Sequence, residues 1–272
     1  MLTLVPTPIG NLGDITFRAL EALKACQVVL CEDTRVAKKL LLLLSDRYSL
    51  DFGQKRFIAV HEHNQKEFLE RIDPSFFDQA VVYMSDAGMP GISDPGAMLV
   101  RYAQERGIEY DVLPGPSAAI TAYAASGFLE TEFCFFGFLP PKEQARLQAL
   151  QQILGHPSNT IFYEAPHRLL KTLGAIAQLD PGRTIFLAKE LTKVHQKFYK
   201  GEAGELLKQL QKEPVKGEWV VVVEKGRVSK GSVELGIDEL MELPLPKKKL
   251  AKLLSKADGR SIKEWYALLT KD

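Results

Sequence analysis

The chain of 272 residues is poor in cysteine, in tryptophan and in net charge, with three Cys, two Trp and a formal balance of +1. Cys26, Cys31 and Cys134 are odd in number and lack metal-ligand spacing, which argues against a disulfide framework and predicts three reduced, mostly buried thiols. No stretch approaches the ~18 apolar residues of a membrane span; the run Leu40 to Leu44 is closed by lysines on one side and Ser-Asp-Arg on the other. Nothing before Pro6 has the basic start or cleavage pattern of a signal peptide, so a soluble, cytoplasmic protein with no membrane partner is expected. Gly-Lys-Ser/Thr is missing, and Pro6-Thr7-Pro8-Ile9-Gly10-Asn11-Leu12-Gly13-Asp14 departs from the dinucleotide fingerprint; both weaken NAD, FAD and nucleoside-triphosphate readings. His61-Glu62-His63 has too few companion ligands for a metal site, and none is expected.

What is present is uneven. Pro244 to Asp272 carries eight Lys/Arg against three Asp/Glu, a net of +5, leaving −4 on the preceding residues. A basic appendage on a mildly acidic body suits a polyanion, although a lysine cluster such as Lys247, Lys248 and Lys249 also serves as a solvated helix face. The most pointed segment is Ser85 to Gly96, where three glycines, two prolines and two aspartates follow the apolar run Ala80 to Met84. Glycine is used where backbone must turn left-handed or approach a ligand closely, so this loop reads as the floor of a small-molecule site.

Strand and helix signals alternate as in an α/β protein. Strands are predicted at Leu2 to Val5, Val28 to Leu30, Phe57 to Val60, Ala80 to Met84 and Tyr110 to Leu113, and helices at Ile15 to Cys26, Arg35 to Leu44 and Ala118 to Ser126. In parallel sheets, ligands gather at the carboxyl ends of strands, so the loops there should converge on one cleft. After Phe138, Leu139-Pro140-Pro141-Lys142 reads as a linker to a helix over Glu143 to Leu154 and a second sheet from Thr160 to Tyr163, Thr184 to Ala188, Gln196 to Tyr199 and Trp219 to Val223. Lys247 to Lys256 has helical spacing, Asp258-Gly259 a turn, and Ser261-Ile262-Lys263-Glu264 a capping box. The expected division is an α/β domain over 1–138, a second over 139–243 and a small basic helical element over 244–272.

Six blocks carry a resemblance: Val5 to Asp14, Glu32-Asp33-Thr34-Arg35, Ser85 to Gly96, Pro114-Gly115-Pro116-Ser117-Ala118, Glu164-Ala165-Pro166-His167-Arg168 and Glu190-Leu191-Thr192-Lys193. Across nearly the whole chain they resemble, in order, the ribosomal RNA small subunit methyltransferase I family of the tetrapyrrole-methylase superfamily. The resemblance implies two α/β domains with S-adenosylmethionine folded between them, a homodimer, and 2′-O-methylation of a cytidine ribose in the decoding region of 16S rRNA, free or in the small subunit. It also implies cofactor contacts from Pro6, Thr7, Pro8 and Ile9, from Gly88, Ile92 and Ser93, from Pro114, Ser117 and Ala118, and from Tyr163, Ala165, Pro166 and Leu191, with RNA on the C-terminal lysines. Where the superfamily has Gly-Asp-Pro this chain has Gly88-Met89-Pro90, so an acidic contact there falls to Asp86 or Asp94 or is absent; an aspartate before Pro-Gly suits a turn-fixing role for Asp94.

A ribose hydroxyl is a weak acid, and a base assisting its attack contributes about 10²–10⁴-fold. Asp33 and His167 are the candidate bases; Lys193, Arg35 and Arg168 are candidates for steadying the oxyanion or phosphates. The plainer alternatives are an Asp33–Arg35 pair at a helix start, a structural His167 and an Arg168 bound to backbone. A tetrapyrrole methyltransferase and a non-catalytic RNA-binding or assembly module stand as alternative functions.

Overall fold

A computed structural model describes residues 1–226 and 235–270. Residues 227–234, inside the expected second domain, and 271–272 lie outside the described residues. The first sheet is parallel, in the order β3-β2-β4-β1-β5, built from β1 (Leu2–Val5), β2 (Val28–Cys31), β3 (Arg56–Ala59), β4 (Val81–Met84) and β5 (Tyr110–Val112). The inner strands are apolar apart from Thr3 of β1 because both faces are covered. On one face Val5, Val29, Cys31, Val82 and Met84 pack with Leu20 and Leu23 of α1 (Phe17–Ala25) and Leu41 and Leu44 of α2 (Thr34–Tyr48). On the other, Leu4, Leu30 and Tyr83 meet Phe68 of α3 (Gln65–Arg71) and Leu99 and Tyr102 of α4 (Gly96–Arg106).

The second sheet is mixed, in the order β6-β7-β10-β8-β9. It comprises β6 (Phe133–Phe138), β7 (Asn159–Glu164), β8 (Thr184–Lys189), β9 (Lys197–Glu202) and β10 (Trp219–Val223); only β6 and β7 are parallel neighbours. One face is covered by α6 (Glu143–Gly155), α7 (Pro166–Leu179) and α8 (Ala203–Leu210) through residues such as Leu150, Leu173 and Leu206. The other face receives α5 (Ala118–Ser126), the helix that follows the first sheet. Its Ala119 and Ala122 are small enough for close contact with Ile161, Phe186, Val220 and Val222. Burying each such aliphatic side chain contributes about 1.5–3 kcal/mol, so α5 fastens the two sheets together.

Both sheets lie in one compact unit, Met1–Gly226, and the C-terminal helices in a second. That second unit holds α9 (Ile237–Met241), α10 (Lys247–Asp258) and α11 (Ile262–Thr270) around Leu250, Leu254 and Trp265. Gly259 turns the chain left-handed after α10, and Ser261 and Glu264 exchange hydrogen bonds as a capping box. The helix over Lys247 to Lys256 and the turn at Asp258-Gly259 thus lie where the sequence pattern places them. Among the described residues no helix is long and apolar enough to cross a membrane.

Candidate active site

The loops after β1 and β4 are stitched together before either meets a ligand. Thr7 and Gly88 exchange backbone N–H···O bonds of 3.0 Å each, the Thr7 hydroxyl donates to the Ser85 carbonyl at 3.1 Å, and the Ser85 hydroxyl donates to the Gly88 carbonyl at 3.0 Å. Gly88 needs its φ of +86°, and a side chain there would press on Ile9. Asp94 accepts from the N–H groups of Gly91 at 2.6 Å and Gly96 at 2.9 Å, the turn-fixing role its place before Pro-Gly suggests.

A third loop crosses over this pair. A Cβ on Gly10 would lie 2.4 Å from Lys193 Cγ and 2.9 Å from the Leu191 carbonyl, so only glycine admits the segment Glu190–Lys193 at that distance. Glu190 (φ 50°) and Thr192 (φ 64°) are both left-handed without being glycine. Such residues cost about 1–3 kcal/mol each and persist where their surroundings over-determine them. Here the Asn11 N–H donates to Thr192 Oγ1 at 3.1 Å, the Glu218 N–H to Glu190 Oε1 at 2.8 Å and the Thr192 N–H to Gln196 Oε1 at 2.6 Å.

Between the loops and the second sheet lies a cleft of about 300 Å³. Ile9, Ala118, Tyr163, Ala165, Pro166 and Leu191, all expected from the sequence, line it. Phe138, Ala188, Gly217, Glu218, Trp219 and Val220 also line it and were not expected. They come from β6, β8, β10 and the two residues leading into β10, and only the order of the second sheet, with β10 at its centre, brings them together. Pro6 and Thr7 are buried and Pro8 half-buried beside Ile9, while Ser117 stands at the N-terminus of α5. Ile92, Ser93 and Pro114 are exposed and are absent from the cleft lining.

The candidate catalytic residues do not form one constellation. Asp33 caps α2 by accepting from the Arg35 N–H at 2.8 Å, and the Arg35 guanidinium grips both of its oxygens at 3.1 and 2.6 Å. Those hydrogen bonds lower the Asp33 carboxyl to about 2, which leaves it little affinity for a proton. Glu32, Asp86 and Asp94, by contrast, are pushed up chiefly by burial, and burial with the nearby Asp86 and Asp33 carboxylates drives the Cys31 thiol up to about 12. Cys26 and Cys31 are buried and Cys134 half-buried, all three as free thiols.

His167 is exposed on the first turn of α7 and is not among the lining residues. Arg168 is turned inward: it pairs with Glu164 at 2.7 Å and donates to the Leu139 carbonyl at 3.3 Å. Glu164 is fully buried and also accepts from Thr172 Oγ1 at 2.6 Å and the Ala165 N–H at 2.9 Å. This is the arrangement of the plainer alternative, an Arg168 bound to backbone, with a buried carboxylate as its second partner. Lys193 Nζ is 3.0 Å from both Glu190 and Glu218, placing a cation beside the cleft; burial opposes its charge, but the two carboxylates outweigh it and raise its pKa. Lys247, Lys248 and Lys249 are exposed on α10, and among the described residues none forms an ion pair.

A sequence profile for Tetrapyrrole (Corrin/Porphyrin) Methylases matches residues 1–207. The chain belongs to the tetrapyrrole methylase family. It is 47% identical to "Ribosomal RNA small subunit methyltransferase I" of Helicobacter pylori (strain J99 / ATCC 700824), over 98% of this chain and 96% of that protein. The protein of the same name from Escherichia coli O157:H7 is 41% identical over 95% of this chain and 90% of its own length. The fold is shared with uroporphyrin-III-C-methyltransferase from Thermus thermophilus (TM-score 0.56, 16% identity, 82% of this chain and 94% of that one). It is also shared with the methyltransferase CobJ (TM-score 0.57, 19% identity, 86% and 96%).

S-adenosylmethionine is the methyl donor of tetrapyrrole methylases, and the cleft suits it. Ile9, Phe138, Tyr163, Leu191 and Val220 offer apolar walls to a purine ring, and the charged lining groups are the carboxylates Glu164 and Glu218. Both carboxylates are paired, Glu164 with Arg168 and Glu218 with Lys193, so the lining is largely apolar and suits a zwitterion with a purine ring better than a polyphosphate, which calls for unpaired cations or a metal. Among the described residues no three His, Cys, Asp or Glu side chains are gathered as a metal site.

Proposed function

We propose that this tetrapyrrole methylase transfers a methyl group from S-adenosylmethionine to the ribose 2′-oxygen of a cytidine in the decoding region of 16S rRNA. The observation that carries the reading is near full-length identity of 40% or more with proteins named for small-subunit rRNA methylation. The basic α10 supports it, since a small-molecule enzyme has no use for a lysine face. The cofactor supplies a methyl on a sulfonium whose leaving group is a neutral thioether, so no general acid is needed. The chain's work is to position donor and acceptor, worth up to about 7–11 kcal/mol of the barrier, and to assist loss of the hydroxyl proton.

In this reading the loops after β1, β4 and β5 and the Glu190–Lys193 segment hold the cofactor. Lys193 lends positive charge near the reacting oxygen, while Lys247, Lys248 and Lys249 hold RNA phosphates. Arg35 contacts a phosphate only where RNA displaces it from Asp33. The protein acts in the cytoplasm as a homodimer, with the exposed apolar side chains Val36, Leu42 and Leu43 of α2 supporting association. Its partners are 16S rRNA or the small subunit, not DNA or a membrane.

The test is transfer of labelled methyl to small subunits lacking the modification, with naked 16S rRNA and a tetrapyrrole as parallel acceptors. Label in RNA supports the reading and identifies the accepted form. Label in the tetrapyrrole alone overturns it, as does binding of the cofactor without transfer to any acceptor.

A further inference from the structure

We infer that a second hollow, lined by Asp14, Thr16, Thr121 and Thr192, receives the acceptor nucleotide, and that the Asp14 carboxylate takes the proton from the hydroxyl being methylated. This rests on the RNA methyltransferase reading and locates the acceptor within it. The hollow, about 420 Å³, shares Ile9 with the cofactor cleft. Two other elements serve both spaces. Ala118 of α5 lines the cleft while Thr121, one turn on along the same face, lines the hollow. In the left-handed loop, Leu191 lines the cleft and Thr192 the hollow. The two spaces therefore adjoin at Ile9, with α5 and the left-handed loop bordering both.

The lining chemistry differs from the cleft's in the way an alcohol acceptor requires. Three hydroxyls and a carboxylate can bond a sugar. Thr192 Oγ1 accepts from Asn11, which leaves its own O–H to donate. Asp14 is set by a single 3₁₀ turn, its N–H donating to the Asn11 carbonyl at 3.0 Å, while the Asn11 side chain accepts from Gly13 at 2.9 Å. Among the described residues no hydrogen bond or ion pair engages the Asp14 carboxylate. Asp33, held by Arg35, and Asp94, held by Gly91 and Gly96, are occupied. Asp14 is exposed, as the acceptor of a macromolecular substrate must be, and the next helix opens on Phe17, 84% exposed, an aromatic face on which an unstacked base can lie.

The hydroxyl proton passes to an Asp14 oxygen, the freed oxygen lone pair forms the new bond to the methyl carbon, and the S–C bonding pair stays on sulfur as a neutral thioether. No oxidant, metal or further reactant enters.

The test uses the full chain with Asp14→Asn and Thr121→Trp, both at exposed positions. Asp14→Asn should leave affinities for S-adenosylhomocysteine, by calorimetry, and for small subunits, by filter binding, within about twofold. The single-turnover transfer rate should fall about 10²–10⁴-fold, with partial recovery in Asp14→Glu. Thr121→Trp, which fills the hollow, should weaken subunit binding at least tenfold without changing S-adenosylhomocysteine affinity. Transfer by Asp14→Asn within threefold of wild type, or unchanged subunit binding by Thr121→Trp, overturns this inference and leaves the RNA reading standing. A wild-type protein that methylates no RNA overturns both.

Discussion

Replacing Arg168 separates a phosphate-holding arginine from a structural one. In the structure its guanidinium is 15% exposed and pairs at 2.7 Å with Glu164, whose side chain is wholly buried at the end of β7. Removing one member of such a pair costs about 3–5 kcal/mol, because the remaining charge stays buried without its partner. Glu164 would keep hydrogen bonds from Thr172 and Ala165, which favours the lower end, about 3 kcal/mol. For a unit of this size that is a fall of roughly 6–12 °C in Tm. Arg168→Met should be measured by urea unfolding followed by fluorescence in a Trp265→Phe background, so that the buried Trp219 reports the unit that contains the pair. Adding Glu164→Gln should return at least about 1 kcal/mol, since no carboxylate is then stranded. A single variant within about 0.5 kcal/mol of wild type, with RNA affinity lost instead, would refute the assignment.

Three further outcomes are expected. Replacing Lys247, Lys248 and Lys249 together by alanine should weaken RNA binding and lower the magnitude of its salt slope by up to about 2, at roughly 0.7 per phosphate contact on single strands; an unchanged slope in filter-binding titrations argues against an RNA-facing α10. Gly10→Ala places a carbon 2.4 Å from Lys193 Cγ and should displace the Glu190–Lys193 loop, costing about 1–3 kcal/mol of stability and measurable S-adenosylhomocysteine affinity in calorimetry; wild-type values in both would contradict the close packing. The Asp33 carboxyl, hydrogen-bonded to Arg35, should titrate near about 2 by NMR and return toward its ordinary 3.8 in Arg35→Ala. Because the folded pKa is the lower one, its contribution to stability is present above about 3.8 and is lost as pH falls through about 2.

The parts of this molecule that are legible in sequence are those with local causes. β2 and β4 are uninterrupted apolar runs and β1 is broken only by Thr3, and α1 and α2 have capping residues, Thr16 and Asp33, that bond to backbone N–H groups as their positions imply. The glycine-proline loops announce a site because their backbones turn where side chains would clash. β6 is not legible: Phe-Cys-Phe-Phe-Gly-Phe does not alternate, and its register shifts between Phe135 and Gly137, where the backbone is left-handed. α4 and α8 escape notice for want of a capping side chain, and α7 because its signal, Pro166 at the first turn, falls inside a block read as part of the site. The same division governs the site. Loop residues next to their own motif, such as Ile9 and Ala118, can be named in advance. Gly217, Glu218 and Val220 line the cleft only because β10 is the central strand of a mixed sheet, which no local pattern encodes. The setting of Arg168 is not legible either, because its partner Glu164, four residues earlier at the end of β7, is buried by tertiary packing.

The central claim is that the methyl group ends on a ribose oxygen of small-subunit RNA. A methylated 2′-oxygen cannot attack the neighbouring phosphate, so the linkage after it resists alkali. Small subunits lacking the modification should be incubated with the protein and labelled S-adenosylmethionine, their 16S rRNA digested in alkali, and the label located by mass. Recovery of the label in an alkali-resistant dinucleotide beginning with cytidine and derived from the decoding region is the expected result. Label released in alkali-sensitive mononucleotides would place the methyl on a base and contradict the account.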